Sequence, residues 1–192
     1  EESKTNWKKI EEAIFSTQGK IITYHGEPID AFFHSNSGGK TEEVSNVWGG
    51  ADLPYLKAVE TVGEDAYSQY SSEVSITKSE LEDKIKAKYS YFNIDYSDSD
   101  CIKILERTNG DRVKTIKIGN VNLSGVEVRS LLGLRSANFE FAIDGDNIKF
   151  TVKGYGHGVG MSQTGADSLA KEGKNYEEII KHFYTDVEIV NI

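Results

Sequence analysis

Apolar positions recur along this chain with two different periods, and the alternation between them lays out its elements. From Thr5 or Asn6, Trp7, Ile10, Ala13 and Ile14 fall at helical spacing with Lys and Glu between them, and Thr17-Gln18-Gly19 closes that helix. Lys20 to Tyr24 is β-rich, Gly26-Glu27-Pro28 turns, and Ile29 to Phe33 reads as the returning strand of a hairpin. Thr77 with Glu80 forms a capping box over a helix to Tyr89, with Leu81 and Ile85 on one face. Tyr91 to Asp100 is an acidic, aromatic connector. The period then becomes two: Ile102 and Ile104, then Val113, Ile116 and Ile118, flank the turn signal Asn109-Gly110-Asp111.

Ser124 and Glu127 make a second capping box, over a short helix through Leu132 that Gly133 stops. Phe139, Phe141 and Ile143 alternate, Asp144-Gly145-Asp146-Asn147 turns, and Ile148, Phe150 and Val152 alternate back, which is the clearest hairpin in the chain. Ala166, Leu169 and Ala170 mark a helix that Gly173 closes. Asn175 with Glu178 caps the last helix, and Val187, Ile189 and Val190 make a terminal strand. With no repeat and no linker, residues 1–192 read as a single α+β domain: antiparallel hairpins with several short helices packed on one core.

Composition narrows the function classes. Lys+Arg 22 against Asp+Glu 31 leaves a net charge of −9, which argues against nucleic acid or anionic lipid as the main partner. Cys101 is the lone cysteine, so neither an internal disulfide nor a cysteine metal cluster forms within these residues. No apolar run is long enough to span a membrane and no signal peptide is present. The start at Glu1, without Met, suggests a mature fragment whose targeting or anchoring segment lies upstream.

The candidate chemistry gathers around Gly154-Tyr155-Gly156-His157-Gly158-Val159-Gly160-Met161-Ser162-Gln163, between a strand and a helix start. Four glycines in seven residues imply positive φ angles or a close approach to the main chain. A phosphate cradle does not fit: neither the dinucleotide fingerprint nor the Gly-Lys-Ser/Thr of a P-loop is completed. The glycines would instead let His157, Tyr155 and Gln163 face one cleft, where imidazole, phenol and amide suit hydroxyl and acetamido groups; a glycine-lined bulge with a structural histidine is the alternative. His34-Ser35-Asn36-Ser37-Gly38-Gly39 is the second candidate, pairing His34 with His157 as hydrogen-bonding groups or metal ligands. Metal binding lacks a third ligand, and a Ser–His nucleophile lacks its elbow motif. Trp48 with Tyr55 is either a stacking platform for sugar rings or a loop anchor. Glu42, Glu43, Asp52, Asp65 and their like sit in segments that read as exposed, without the apolar neighbours that raise a carboxyl pKa.

Taken in order, Asp30-Ala31-Phe32-Phe33-His34-Ser35-Asn36-Ser37-Gly38-Gly39-Lys40-Thr41, Val47-Trp48-Gly49-Gly50, Pro54-Tyr55-Leu56, Leu132-Gly133-Leu134-Arg135-Ser136 and the glycine stretch resemble the stage II sporulation protein D family, also called the amidase-enhancer or LytB family. The resemblance runs from about Trp7 to the C-terminus. It implies an extracytoplasmic, cell-wall-facing protein, membrane-anchored through an N-terminal helix. Its implied activity is that of a lytic transglycosylase on peptide-free (denuded) peptidoglycan glycan strands during spore engulfment. In such enzymes a glutamic acid protonates the glycosidic oxygen, then as carboxylate assists attack by the muramic 6-hydroxyl, giving a 1,6-anhydro product. The implied partners are glycan strands, a peptidoglycan amidase and membrane-anchored septal proteins of the engulfment complex, with no nucleic acid.

The family's catalytic glutamate lies in an N-terminal helix that nothing in residues 1–192 matches, so no catalytic residue is assigned to this chain. The upstream Cys/His segment of many members, a candidate structural zinc site, is not matched either, and no cofactor is assigned. What the resemblance leaves is a substrate groove. His34, Ser35, Ser37, Gly38 and Gly39 are expected on it with Trp48, as are Tyr155, His157, Gly158, Ser162 and Gln163 from the glycine stretch. The competing readings are a non-catalytic glycan-binding module or amidase activator, and a septal scaffold.

Overall fold

Helix α1 (Glu2–Thr17) opens the computed structural model, which describes residues 2–192. Its apolar positions Trp7, Ile10, Ile14 and Phe15 form as the period requires, yet each stays more than half exposed. Gly19 then leads into β1 (Lys20–Tyr24), which pairs antiparallel with β2 (Glu27–Pro28). The expected return strand over Ile29–Phe33 does not continue that hairpin. Asp30 turns the chain by accepting from the Phe32 N–H, and β3 (Phe33–His34) pairs elsewhere. Helix α2 (Val44–Trp48) follows, then a 3-10 turn at Glu64–Ala66.

Strand β4 (Ser71–Thr77) feeds α3 (Lys78–Lys86) through the foreseen Thr77–Glu80 capping box. The helix stops three residues short of Tyr89. Strands β5 (Ile102–Arg107), β6 (Val113–Ile118) and β7 (Val121–Ser124) form an antiparallel sheet in that order. Helix α4 (Gly125–Leu132) carries the second capping box and ends at Gly133 with φ 66°. Strands β8 (Asn138–Asp144) and β9 (Asn147–Lys153) form the hairpin read from the alternation, and β4 adds to β9 along its full length. β4 (Ser71-Ser72-Glu73-Val74-Ser75-Ile76-Thr77) is polar in its first half and is a strand there because β9 offers an edge to pair with.

After the glycine stretch come β10 (Met161–Ser162), α5 (Gln163–Lys171), α6 (Tyr176–Phe183) and β11 (Glu188–Asn191). Ser162 caps α5 by accepting from the Gly165 N–H at 3.2 Å, and the Asn175–Glu178 box caps α6. β11 closes on β1, so the first and last strands share one sheet. The α+β class with antiparallel pairing stands, with parallel pairing where β10 meets β3 and at the Glu42–Val159 bridge.

Two apolar clusters fill the interior instead of the single core expected. The larger joins α3 and α4 to the β4–β9–β8 and β5–β6–β7 sheets around Ile116, Ile118, Leu123, Ile148 and Phe150. The smaller joins Tyr55, Leu56, Val159, Phe183 and Tyr184. Val152 belongs to the first and Val159 to the second, so the glycine stretch is the chain that passes between them. That position places it where two packed bodies meet, a usual location for a cleft.

Candidate functional site at the junction of two glycine-rich segments

The segments 33–42 and 154–162 lie side by side. Met161 registers with Phe33 and Ser162 with His34, the Asn36 and Tyr155 main chains exchange bonds of 3.1 and 2.8 Å, and the Glu42 N–H donates to Gly158 O at 2.8 Å. Glycine is required where these backbones approach. At Gly156, φ is 119° and an added Cβ would stand 2.8 Å from the His34 Cβ; at Gly158, φ is 87° and a Cβ would stand 2.0 Å from an Arg112 nitrogen.

Beneath the paired segments sit charges that sequence reading did not single out. Glu64 is buried, and both carboxylate oxygens are saturated. Oε1 accepts from the Ser37 N–H at 3.1 Å, Thr164 Oγ1 at 3.0 Å and Ser162 Oγ; Oε2 accepts from the Gly39 N–H at 3.1 Å, Thr61 Oγ1 at 2.7 Å and Ser37 Oγ. Burial pushes its pKa up, but the hydroxyls of Ser162, Ser37 and Thr61 outweigh it and hold the carboxyl below the usual range. Glu64 is therefore an ionised anchor of the two loops. Arg112 is its counterpart: buried, it donates to the carbonyls of Lys40, Gly110 and Ser37, each at 3.0 Å. Glu42, read as exposed, is fully buried and accepts from Asn46 and Thr108. Apart from Thr61, Asn46 and Gly110, these partners are 25 to 100 residues apart in sequence, so no local pattern announces the cluster.

The structure divides the expected groove residues into two groups. Ser37 and Ser162 are buried with their hydroxyls spent on Glu64, and Gly38 and Gly158 are backbone contacts, so these four shape the groove from behind. His34 joins them: its Nδ1 donates to Val159 O at 3.2 Å, and burial, with help from Arg112, pulls its pKa down to about 3. It is a neutral, interior imidazole, not the groove contact expected. Ser35, Gly39, Trp48, Tyr155, His157 and Gln163 retain exposure. Gly39 donates its N–H to Glu64, and Gln163 opens α5 on the outer side. Tyr55 is resolved as a core residue, its hydroxyl accepting from the Asp30 N–H at 3.1 Å.

Three rings form a continuous edge. Trp48 lies 5.0 Å from His157 and 5.0 Å from Phe32, and His157 lies 5.6 Å from His34. His157 Nδ1 accepts from the Val159 N–H at 3.1 Å, and burial lowers its pKa. A neutral imidazole whose Nδ1 accepts carries its proton on Nε2, and a hydrogen bond to the Phe33 main chain already engages the ring. Phe32, Phe33, Trp48 and Tyr155 are exposed around it. An amphipathic aromatic edge suits the faces of sugar rings. Among the described residues, no group of three or more His, Cys, Asp and Glu could hold a metal ion. No described helix is long and apolar enough to cross a membrane.

No protein-family model matches the chain. Among curated proteins, stage II sporulation protein D of Bacillus subtilis (strain 168) is 41% identical over 185 residues, covering 96% of this chain and 52% of its own length. The protein of the same name from Bacillus amyloliquefaciens is 40% identical over the same shares. The amidase enhancer of Bacillus subtilis is 28% identical over 223 residues, 90% of this chain and 31% of its own length. The chain thus spans about half the length of the sporulation proteins it matches.

Proposed function

This chain belongs to the family of stage II sporulation protein D and the amidase enhancer, and from that premise we propose that it forms one wall of a glycan-binding groove in a sporulation protein acting on the cell wall. The observation that carries the reading is the Phe32–Trp48–His157 edge beside two glycine-rich segments that approach too closely at Gly156 and Gly158 for a Cβ. The ligand is a strand of acetamido sugars, stacked on Trp48 against the edge that His157 and Phe32 continue. For the whole protein we propose lytic transglycosylase activity on peptide-free peptidoglycan strands, in an extracytoplasmic location. The proton donor would come from outside these residues. Glu64 is held ionised by its donors, and a carboxylate that is already ionised has no proton to give a glycosidic oxygen.

A second reading, a glycan-binding activator of a partner amidase, draws support from the name of the amidase-enhancer relative. Two measurements separate them. Incubating the full-length protein with denuded glycan strands should give 1,6-anhydro-muramic ends by mass spectrometry if it is the enzyme, and intact bound strands if it is the activator. Trp48→Ala should weaken binding of an N-acetylglucosamine oligomer about tenfold by calorimetry, the loss of one stacked ring. Unchanged affinity in that variant would remove the aromatic edge from the site.

A further inference from the structure

Helix α1 is the element whose apolar face no described residue covers. Every residue from Lys4 to Ser16 is exposed, on the apolar side as much as on the charged one. Trp7, Ile10 and Ile14 recur at three and four residues and make one stripe, 65%, 51% and 61% exposed, with Phe15 beside it at 70%. Glu11 and Lys9 border the stripe, and Glu12 lies on the opposite side. A helix of 16 residues is marginal in water by itself, and packing of an amphipathic face is what normally stabilises one. α1 has the face without the packing.

Three occupants could cover that face, and two fit it poorly. A second copy gains too little: one side of a helix about 24 Å long and 10 Å wide falls well short of the roughly 800 Å² per partner that a stable dimer buries. A lipid surface wants a basic polar face, whereas Glu11 and Glu12 balance Lys8 and Lys9 in a chain of net charge −9. The third occupant is more of the same polypeptide. A tethered segment meets α1 at an effective concentration of about mM, so a small apolar contact suffices. Length supplies such a segment in the relatives. Stage II sporulation protein D of Bacillus subtilis matches 96% of this chain, so the match reaches into α1, yet only 52% of that protein is spanned. A relative that shares this helix therefore carries about as much chain again outside the matched part.

We propose that the Trp7–Ile10–Ile14 stripe is an internal docking surface, covered in the whole protein by an apolar face of the polypeptide outside residues 1–192. The occupant presents aliphatic or aromatic side chains to the stripe and polar ones to Glu11 and Lys9 at its borders. α1 leads through Gly19 into β1, whose Ile22 and Tyr24 pack on the smaller apolar cluster. The docked segment is thereby fixed to the body that also holds Val159 of the glycine stretch. This docking holds whatever the groove binds.

The test uses the full-length protein with a benzophenone amino acid in place of Ile14 or, as a control, of Glu12. Unlabelled and heavy-nitrogen-labelled protein are mixed in equal amounts, irradiated, digested and read by mass spectrometry. Crosslinks from Ile14's position should join peptides of one isotope only, reach residues outside 1–192, and exceed those from Glu12's position severalfold. Hydrogen exchange gives a second readout. Ile10→Lys combined with Ile14→Lys should speed amide exchange over Glu2–Thr17 about tenfold, while the β8–β9 hairpin keeps its rate. Mixed-isotope crosslinks would put a second copy on the stripe and overturn the docking. Crosslinks confined to residues 1–192, equal or absent yields from the two positions, or unchanged exchange in the double variant would overturn it as well.

Discussion

Replacing Glu64 by Gln changes almost no volume, yet it strikes the group that holds the two glycine-rich segments together. The magnitude follows from the bonds. Hydroxyls of Ser37, Thr61, Ser162 and Thr164 can rotate to accept from an amide, but the N–H groups of Ser37 and Gly39 cannot, and they address opposite oxygens of Glu64. Whichever way the amide turns, its NH2 faces one backbone N–H and leaves that donor unsatisfied in a buried site. That costs about 1–3 kcal/mol, and exchanging charge-assisted for neutral bonds adds about 1 kcal/mol. For a chain of this size a sum of about 2–4 kcal/mol lowers Tm by roughly 5–15 °C. Thermal unfolding followed by circular dichroism at pH 7 measures it.

The acid dependence supplies a second readout. Because the folded carboxyl is held below its ordinary pKa, its stabilisation is complete above the unfolded value and is lost as pH falls through the folded one. The gap between wild type and variant should accordingly close at pH values below about 4. A Glu64→Gln protein within about 0.5 kcal/mol of wild type at pH 7 would refute the anchoring role.

His34 should impose a further slope on the acid side. Its folded pKa near 3 lies below the unfolded value, so protons bind the unfolded chain first and stability drops from about pH 6.5 downwards. In His34→Gln the decline of Tm between pH 6.5 and 4 should be shallower, and an unchanged slope would count against a buried neutral imidazole. Gly158→Ala places a methyl 2.0 Å from the pinned Arg112 guanidinium at φ 87°. A loss of about 3–5 kcal/mol by urea unfolding is expected. Gly133→Ala, with positive φ but open space, should lose only about 1 kcal/mol.

Local signals were readable from the chain itself because their causes are local. The Thr77–Glu80, Ser124–Glu127 and Asn175–Glu178 capping boxes each satisfy helix donors within four residues, and the β8–β9 hairpin follows from strict alternation about a turn. The glycine stretch announced itself for the same reason: its positive φ values are written in its own residues. Helix α1 was legible as a helix, but its period did not tell that its apolar face would stay exposed.

Only the tertiary structure decided what the site is made of. Burial sorted His34, Ser37 and Ser162 from Tyr155 and His157, although all occur in the same two motifs, and left Trp48 exposed beside them. It also turned Glu42 and Glu64, two acids among 31, into interior charges, through partners that chain folding brought from up to 100 residues away. A carboxylate's state depends on who donates to it and how much water reaches it, and neither is a property of its neighbours in sequence. Sequence therefore named the two loops, and packing between two apolar clusters decided which of their side chains face outward.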